Sequence, residues 1–485
     1  MQPTKIWVPA DEHDSQRYDP LAVFRAGLRN HHIANTAYPI AHEKTWRSYR
    51  VARDRIPIAV AESYGDLKEL NLYAHIPFCE KRCYYCEYTV VGKLELDQTR
   101  DYMDLLGREL ELYAKLLDTR HYKIRGFDIG GGTPTFVSAD LISDLIDRVG
   151  RAFALPAGLE ISIETTPRIA SEEPQKIRDL YRAGIRRISM GVQVTQPDLL
   201  RMLNRDTNGI EFHRRAVDHI RAAGFENMNI DVMYGFAGQS LESLQATLEH
   251  VIALEPEAIT LYRMRYKLTR ISDQAHQVRR TSVLKQAALA KSLLLQAGFQ
   301  ANPGKNTFTK MPGSSGTSHY IENRVVRGLP YLGFGLGAQS LSNHSIAYNS
   351  GAAGKTIPPY RRAIMEKRLP IQDQYVLPLE HMMAKMIAVS FYFGEIHLPS
   401  FEEKFGVSLG DAFAAERAFV LENGLMQESG EFLSLTERGA RLYNGVIALF
   451  YAPSVQKYLL DRRSDSGTDL KRNRRLALAV AGDAR

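Results

Sequence analysis

From residue 70 to 300, short β-like runs alternate with amphipathic helical stretches, and this rhythm restricts the chain more than any other feature. Strands are predicted at 72–76, 126–129, 160–164, 187–192, 228–233 and 259–263, with helices at 98–117, 139–153, 172–183, 211–223, 241–254 and 283–297. Several helical stretches end in Ala-Gly, a stop signal, at Gly184, Gly224 and Gly298. Repeated strand–helix units build a parallel sheet, so the expected fold class is α/β, with six units forming a partial TIM-like barrel. Chemistry in such barrels sits at the C-terminal ends of the strands.

The first predicted strand runs directly into Tyr73-Ala-His-Ile-Pro-Phe-Cys79-Glu-Lys-Arg-Cys83-Tyr-Tyr-Cys86, which holds all three cysteines of the 485-residue chain. Three cysteines within eight residues are not a disulfide framework and suit a reducing compartment. In a loop, this spacing lets three thiolates converge on a [4Fe–4S] cubane and leaves its fourth iron open for another ligand. A zinc site completed by His75, or three structural cysteines, are the alternatives. Zinc sites favour paired Cys-x-x-Cys units, whereas this loop combines a four-residue and a three-residue step.

Polar residues recur at the later strand ends. Gly130, Gly131 and Gly132 close the second, Glu164 the third and Gln193 the fourth; Asp231 lies near the end of the fifth, and Arg205 sits in the loop after Gln193. Backbone without Cβ atoms admits close approach of a ligand, and a carboxylate there accepts from hydroxyls or an ammonium.

Cys-x-x-x-Cys-x-x-Cys after a strand resembles the radical S-adenosylmethionine (SAM) motif. The surrounding His-Ile-Pro-Phe-Cys resembles the oxygen-independent coproporphyrinogen III oxidase-like family (HemN-like). Gly130-Gly-Gly-Thr-Pro-Thr135, Ile161-Ser-Ile-Glu164, Ser189-Met-Gly-Val-Gln193, Asn229-Ile-Asp231 and Tyr234-Gly235-Phe236 resemble family positions in order, over roughly residues 70–450. The resemblance implies a [4Fe–4S] cluster on Cys79, Cys83 and Cys86 and two SAM molecules. It also implies that Tyr73, Tyr85, Gly131, Gly132, Thr133, Glu164, Gln193, Arg205, Asp231 and Arg265 contact SAM. The implied chemistry is a 5′-deoxyadenosyl radical that abstracts hydrogen from substrate. Arg263 and Arg265 are candidates to clamp carboxylates or phosphate-like groups.

One departure bears on substrate: the family's oxidases carry a fourth cysteine two residues on, where this chain has Cys86-Glu87-Tyr88. Some 70 residues also precede the first strand, enough to cover a flat aromatic substrate. Together these point to the methyltransferase and cyclopropanase branch, transferring a methyl or methylene carbon to an sp² carbon of a specialised metabolite. Coproporphyrinogen III-type decarboxylation, anaerobic haem-opening methylation and a haem chaperone are the alternatives. His319 and His344 would be candidate haem ligands in the last. No catalytic residue beyond the cofactor contacts is singled out.

The expected organisation is an N-terminal cover (1–70), the barrel (71–300), a loop-rich closing segment (301–370), a winged-helix-like α+β domain (371–455) and a basic, mobile tail (456–485). That tail carries much of the +7 net charge, and the helix expected at 411–423 holds Asp411, Glu416 and Glu422 against Arg417, so no nucleic-acid partner is expected. No apolar run of signal or membrane-span length opens the chain, which predicts a cytoplasmic monomer without a membrane partner. Expected partners are a small-molecule substrate, an electron donor such as flavodoxin or ferredoxin, and a downstream methyltransferase or pathway enzyme.

Overall fold

A computed structural model describes residues 16–29, 38–39, 42–91, 98–267 and 269–462. Its centre is one 11-stranded sheet. The strands are β1 (Glu69–Ile76), β2 (Lys123–Gly131), β3 (Ile161–Thr165), β4 (Ile185–Gln193), β5 (Asn227–Tyr234), β6 (Ala258–Arg263), β7 (Thr307–Thr309), β8 (Tyr331–Gly335), β9 (Gln339–Leu341), β10 (Ser345–Asn349) and β11 (Ile371–Val376). They lie in the order β11-β10-β9-β8-β1-β2-β3-β4-β5-β6-β7. Strands β1 to β6 pair parallel in sequence order, as the strand–helix rhythm predicts.

Side chains alternate across these strands, and the two faces differ completely. Leu72, Ala74, Ile129, Ile163, Ile188, Met190, Ile230, Val232 and Ile259 face outward into one apolar core. The helix Ala139–Phe153 shows how the outer layer is held: Ile142, Leu145, Ile146, Val149 and Phe153 recur at helical spacing and are buried in that core. The helix His213–Ala223 stops at Gly224, whose φ of 107° an L-residue adopts only at a cost. On the inner face stand Tyr73, Asp128, Glu164, Ser189, Asp231 and Tyr262, so the concave side of the sheet is polar.

Residues 301–370, expected to be mainly loops, instead extend the sheet with β7 to β10 and add two helices, His319–Val325 and Ile357–Met365. Glycine hides these strands from a pattern-based reading while making their pairing possible. A Cβ on Gly333 would come within 2.3 Å of the Gln339 carbonyl oxygen. The segment is fastened by Glu109, which is 0% exposed. Its carboxylate accepts from the Gly335 amide (2.8 Å), the Tyr360 hydroxyl (2.6 Å) and the Asn349 amide (2.7 Å). Burial pushes Glu109 up to about 7.

Beyond the sheet, the helix Leu379–Ser390 precedes the helices Leu398–Phe405 and Ala414–Glu422 and a second sheet of β12 (Glu395–His397), β13 (Met426–Ser429) and β14 (Phe432–Leu435). Its order is β12-β14-β13, with β13 and β14 forming a hairpin. Residues of the N-terminal segment share this region's core rather than simply roofing the barrel: Phe24, Tyr38 and Trp46 pack with Phe391, Phe450 and Tyr451. Residues 456–461, expected at the start of a mobile tail, belong to the helix Pro453–Asp461 and bury Gln456 and Leu459. Residues 463–485 lie outside the described residues. Among the described residues, no helix is long and apolar enough to cross a membrane.

Candidate cofactor-binding site

The loop after β1 carries Cys79, Cys83 and Cys86, all three reduced and half-buried. Neighbouring elements hold it from two sides. The Thr133 hydroxyl lies 3.5 Å from the Cys79 sulfur, and the Thr133 amide donates to the Phe78 carbonyl at 2.7 Å. Arg205 donates from Nη1 to the Cys83 sulfur at 3.4 Å and from Nη2 to the Gly191 carbonyl. A Cβ on Gly132 would lie 2.6 Å from the Phe78 oxygen and 2.9 Å from the Cys79 sulfur, so the loop can sit on the end of β2 only because residue 132 is glycine. Burial pushes the Cys79 thiol up to about 12 and raises Cys86 also. Iron bound there would displace the thiol protons and compensate the charge of the resulting thiolates.

Both ring nitrogens of His75 are engaged, Nε2 with the Thr89 carbonyl (2.8 Å) and Nδ1 with the Tyr73 hydroxyl (3.2 Å). Burial lowers its pKa to about 4. With both ring nitrogens engaged, His75 ties the end of β1 to Tyr73 and Thr89 in this arrangement. Among the described residues, no trio of His, Cys, Asp or Glu side chains is poised around a single metal ion.

Facing the cysteine loop, the lumen gathers carboxylates. Glu164 projects from β3 into open space, so water reaches it although protein closes round it on every side. Burial within the lumen, then Asp231 and Asp128, push Glu164 up to about 8. Asp231 accepts from the Asn229 amide at 2.8 Å, and burial raises it to about 6. Asp128 accepts from the Ser318 hydroxyl at 2.6 Å and is raised to about 7, chiefly by burial. Arg187, buried beneath them, donates to Ser162 (3.3 Å) and to the Gly316 carbonyl (3.0 Å) and lowers all three.

Two further signs point to a missing ligand. Gln193, at the end of β4, holds a φ of 70°, a strained conformation that concentrates at functional sites. Its Oε1 is buried without a hydrogen-bond partner, as is Oδ1 of Asp128. A cationic ligand with hydroxyl and amine donors fits this lumen: it would satisfy the orphaned oxygens and bring the carboxylates back to their charged forms. SAM has that character.

The structure therefore brings together Tyr73, Glu164, Gln193 and Asp231 around one space. Tyr85 lies beside it, in contact with Phe236 and close to Cys83 and Arg205. Gly132 packs on the cysteine loop and Gly131 on Ile76 and His75 at the end of β1, while Thr133 and Arg205 touch the loop's sulfurs. Arg265 stands apart: it is half-exposed and paired with Glu87 at 2.6 Å, because it lies beyond the strand end. Arg263 occupies the opposite face of β6 from Tyr262 and so does not look into the lumen. His319 and His344 are set against different neighbours, the former's amide on Glu160 and the latter beside Glu62 and Asp66.

Sequence reading passed over Asp128 and Arg187. Each is a charged residue in phase with the inner face of its strand, the signal that could have found it. It also passed over Tyr320, which stacks on Tyr73 at 5.9 Å, and Tyr392, which lies near Tyr262 and Asn306. These come from distant segments and carry no local signal.

The class follows from this arrangement and from comparison with known proteins: residues 73–251 match the Radical SAM superfamily, whose cofactors are a [4Fe–4S] cluster and SAM. The chain has the α/β radical SAM fold. It superposes on coproporphyrinogen III oxidase (HemN) from Escherichia coli with a TM-score of 0.70 at 24% identity, over 85% of this chain and 96% of that one. Among curated proteins it is 26% identical to the heme chaperone HemW of Bacillus subtilis, over 78% of this chain and 98% of that protein. It is also 26% identical to the oxygen-independent coproporphyrinogen III oxidase of Salmonella typhimurium, over 80% of this chain and 87% of that one. The chain thus carries a radical SAM domain over residues 73–251 and is similar along most of its length to these oxidases and chaperones.

Proposed function

We propose that this chain is a radical SAM oxidoreductase that removes hydrogen from a tetrapyrrole side chain, in the manner of oxygen-independent coproporphyrinogen III oxidation. When bound, the cluster and SAM supply a 5′-deoxyadenosyl radical for that abstraction. Cys79, Cys83 and Cys86 hold the cluster, while Thr133 and Arg205 fix the loop that carries them. Glu164 and Asp231 accept from the amine and hydroxyl groups of SAM, and Gln193 offers its unpartnered Oε1.

The observation that carries the reading is the polar lumen beside the cysteine loop. Its occupancy is proposed to be two SAM molecules. Asp128, Glu164 and Asp231 gather above the guanidinium of Arg187, with Arg324 also acting on Asp128 and Arg205 on Asp231, and this acidic lumen suits cationic SAM.

The carbon-transfer reading is supported by one feature, Glu87-Tyr88 in place of the fourth cysteine, with the Tyr88 ring 67% exposed beside the cysteine loop. The relatives favour oxidation instead, since several are oxygen-independent coproporphyrinogen III oxidases. Product analysis separates the two. With coproporphyrinogen III, a reductant and SAM, the proposal predicts 5′-deoxyadenosine, methionine and carbon dioxide. Appearance of S-adenosylhomocysteine with label from methyl-deuterated SAM in the product would overturn it in favour of carbon transfer. Porphyrin binding with no SAM cleavage at all would point to a carrier.

A further inference from the structure

A second buried site adjoins the lumen. The short helix His319–Val325 lies along the inner face of the sheet: a Cβ on Gly126 of β2 would meet the Tyr320 backbone at 2.5 Å. From this helix Arg324 extends toward β8 and β9. Its guanidinium sits 4.6 Å above the centre of the Tyr331 ring and lies near the Tyr320 hydroxyl, with a marginal 3.5 Å contact to Gln339. Its Nε is buried without an acceptor, and among the described residues Arg324 forms no ion pair.

The nearest acidic influence is Asp128, already bonded to Ser318 and set against Arg187. A second cation aggravates the imbalance. Lys385, 1% exposed on the helix Leu379–Ser390, donates to the Tyr38 carbonyl at 3.2 Å, and Arg324 is close enough to disfavour its charge.

A buried guanidinium whose Nε lacks an acceptor costs free energy that ring contacts alone do not return. An entering anion would return it. The recess is continuous with the lumen: Tyr320 stacks on Tyr73, and Tyr392 lies within reach of both Arg324 and Tyr262. Arg324, Gln339, Tyr348 and Tyr392 are each only partly buried, so solvent reaches this group of side chains.

We infer that Arg324 anchors a carboxylate of the substrate in this recess, between the inner face of β1 and β8 and the helix Leu379–Ser390. Lys385 adds to the positive field there. Only the identity of the group carrying the carboxylate rests on the proposed tetrapyrrole reading. A guanidinium suits the task because its planar fork meets both oxygens of one carboxylate.

The test compares wild type, Arg324→Met and Arg324→Lys in the reconstituted full chain, with coproporphyrin III and its tetramethyl ester as fluorescent probes. Arg324→Met should weaken coproporphyrin III binding roughly tenfold to a hundredfold and leave ester binding unchanged. Arg324→Lys should recover part of the loss. The apo thermal midpoint of Arg324→Met should stay level or rise, since an unpaired buried charge is removed. Equal coproporphyrin III affinity in wild type and Arg324→Met would overturn the inference, as would equal weakening of acid and ester accompanied by a lowered midpoint. If wild type binds neither porphyrin, the tetrapyrrole reading fails, and titration with sodium propionate followed by near-ultraviolet tyrosine absorbance decides the anchor alone. A saturable change in wild type that Arg324→Met abolishes supports it; identical responses, or none in wild type, overturn it.

Discussion

Glu109, fully buried, and Glu164, open to the lumen, are both carboxylates raised far above the usual range, chiefly by desolvation. Around Glu109 three donors close on the two oxygens, from Gly335, Tyr360 and Asn349. Around Glu164 the neighbours are instead Asp231 and Asp128, with the unpartnered Gln193 oxygen and the strained Gln193 backbone nearby. A buried acid whose lone pairs are all used fastens one part of a protein to another. A group of acids with orphaned partners and open space beside them awaits a ligand. The first region holds the glycine-rich strand β8 against the rest of the barrel, and the second is where SAM would lie.

The largest effect expected from this contrast is on stability. Glu109→Ala leaves the Tyr360 hydroxyl, the Asn349 amide and the Gly335 amide without their acceptor. With each buried orphan costing about 1–3 kcal/mol, a loss of about 3 kcal/mol or more is expected in denaturant unfolding. A loss below about 1 kcal/mol would show that Glu109 is not a fastening.

Glu164→Gln should do the reverse. Apo stability should hold or rise, because a like charge is removed, while SAM affinity measured by calorimetry falls by about tenfold, the equivalent of about 1.4 kcal/mol. If stability dropped as it does for Glu109→Ala, the two acids would not differ in kind.

The pH profile sharpens the distinction. Folded values of about 6 for Asp231, about 7 for Asp128 and Glu109, and about 8 for Glu164 all lie above the unfolded carboxylate range near 4. Each group therefore supports folding fully below about pH 4 and loses that support as the pH rises through its folded value. The apo thermal midpoint should decline between about pH 4 and pH 8. Saturating SAM should flatten the part due to Glu164 and Asp231 but not the part due to Glu109. A decline unchanged by SAM would detach SAM from the lumen carboxylates.

The smallest effect concerns Gln193→Gly. Relief of its positive φ should raise apo stability by up to about 1 kcal/mol, while loss of the side-chain amide weakens SAM binding. Weaker apo stability with intact SAM binding would make Gln193 a purely structural residue.

The parallel core was legible because its alternation is strict: Ile161 and Ile163 against Ser162 and Glu164 is a two-residue period that the structure places on opposite faces. The cysteine loop was legible from spacing alone. The strands of residues 331–349 were not, since Gly333, Gly335 and Gly337 interrupt any apolar period, and their pairing depends on partners far along the chain. The Glu87 partner of Arg265 was hidden for a related reason. Proximity to a strand end says nothing about whether a side chain finds an acid such as Glu87 first. Tyr320, Arg324 and Tyr392 reach the lumen only through tertiary packing, which no local window records.

The most direct measurement is anaerobic reconstitution of the full chain with iron and sulfide, followed by metal analysis and visible absorbance. The account predicts about four irons and four sulfides per chain, with the absorbance lost in Cys79→Ala, Cys83→Ala and Cys86→Ala, while Glu164→Gln retains it. Undiminished iron–sulfur absorbance in the triple cysteine variant would contradict it.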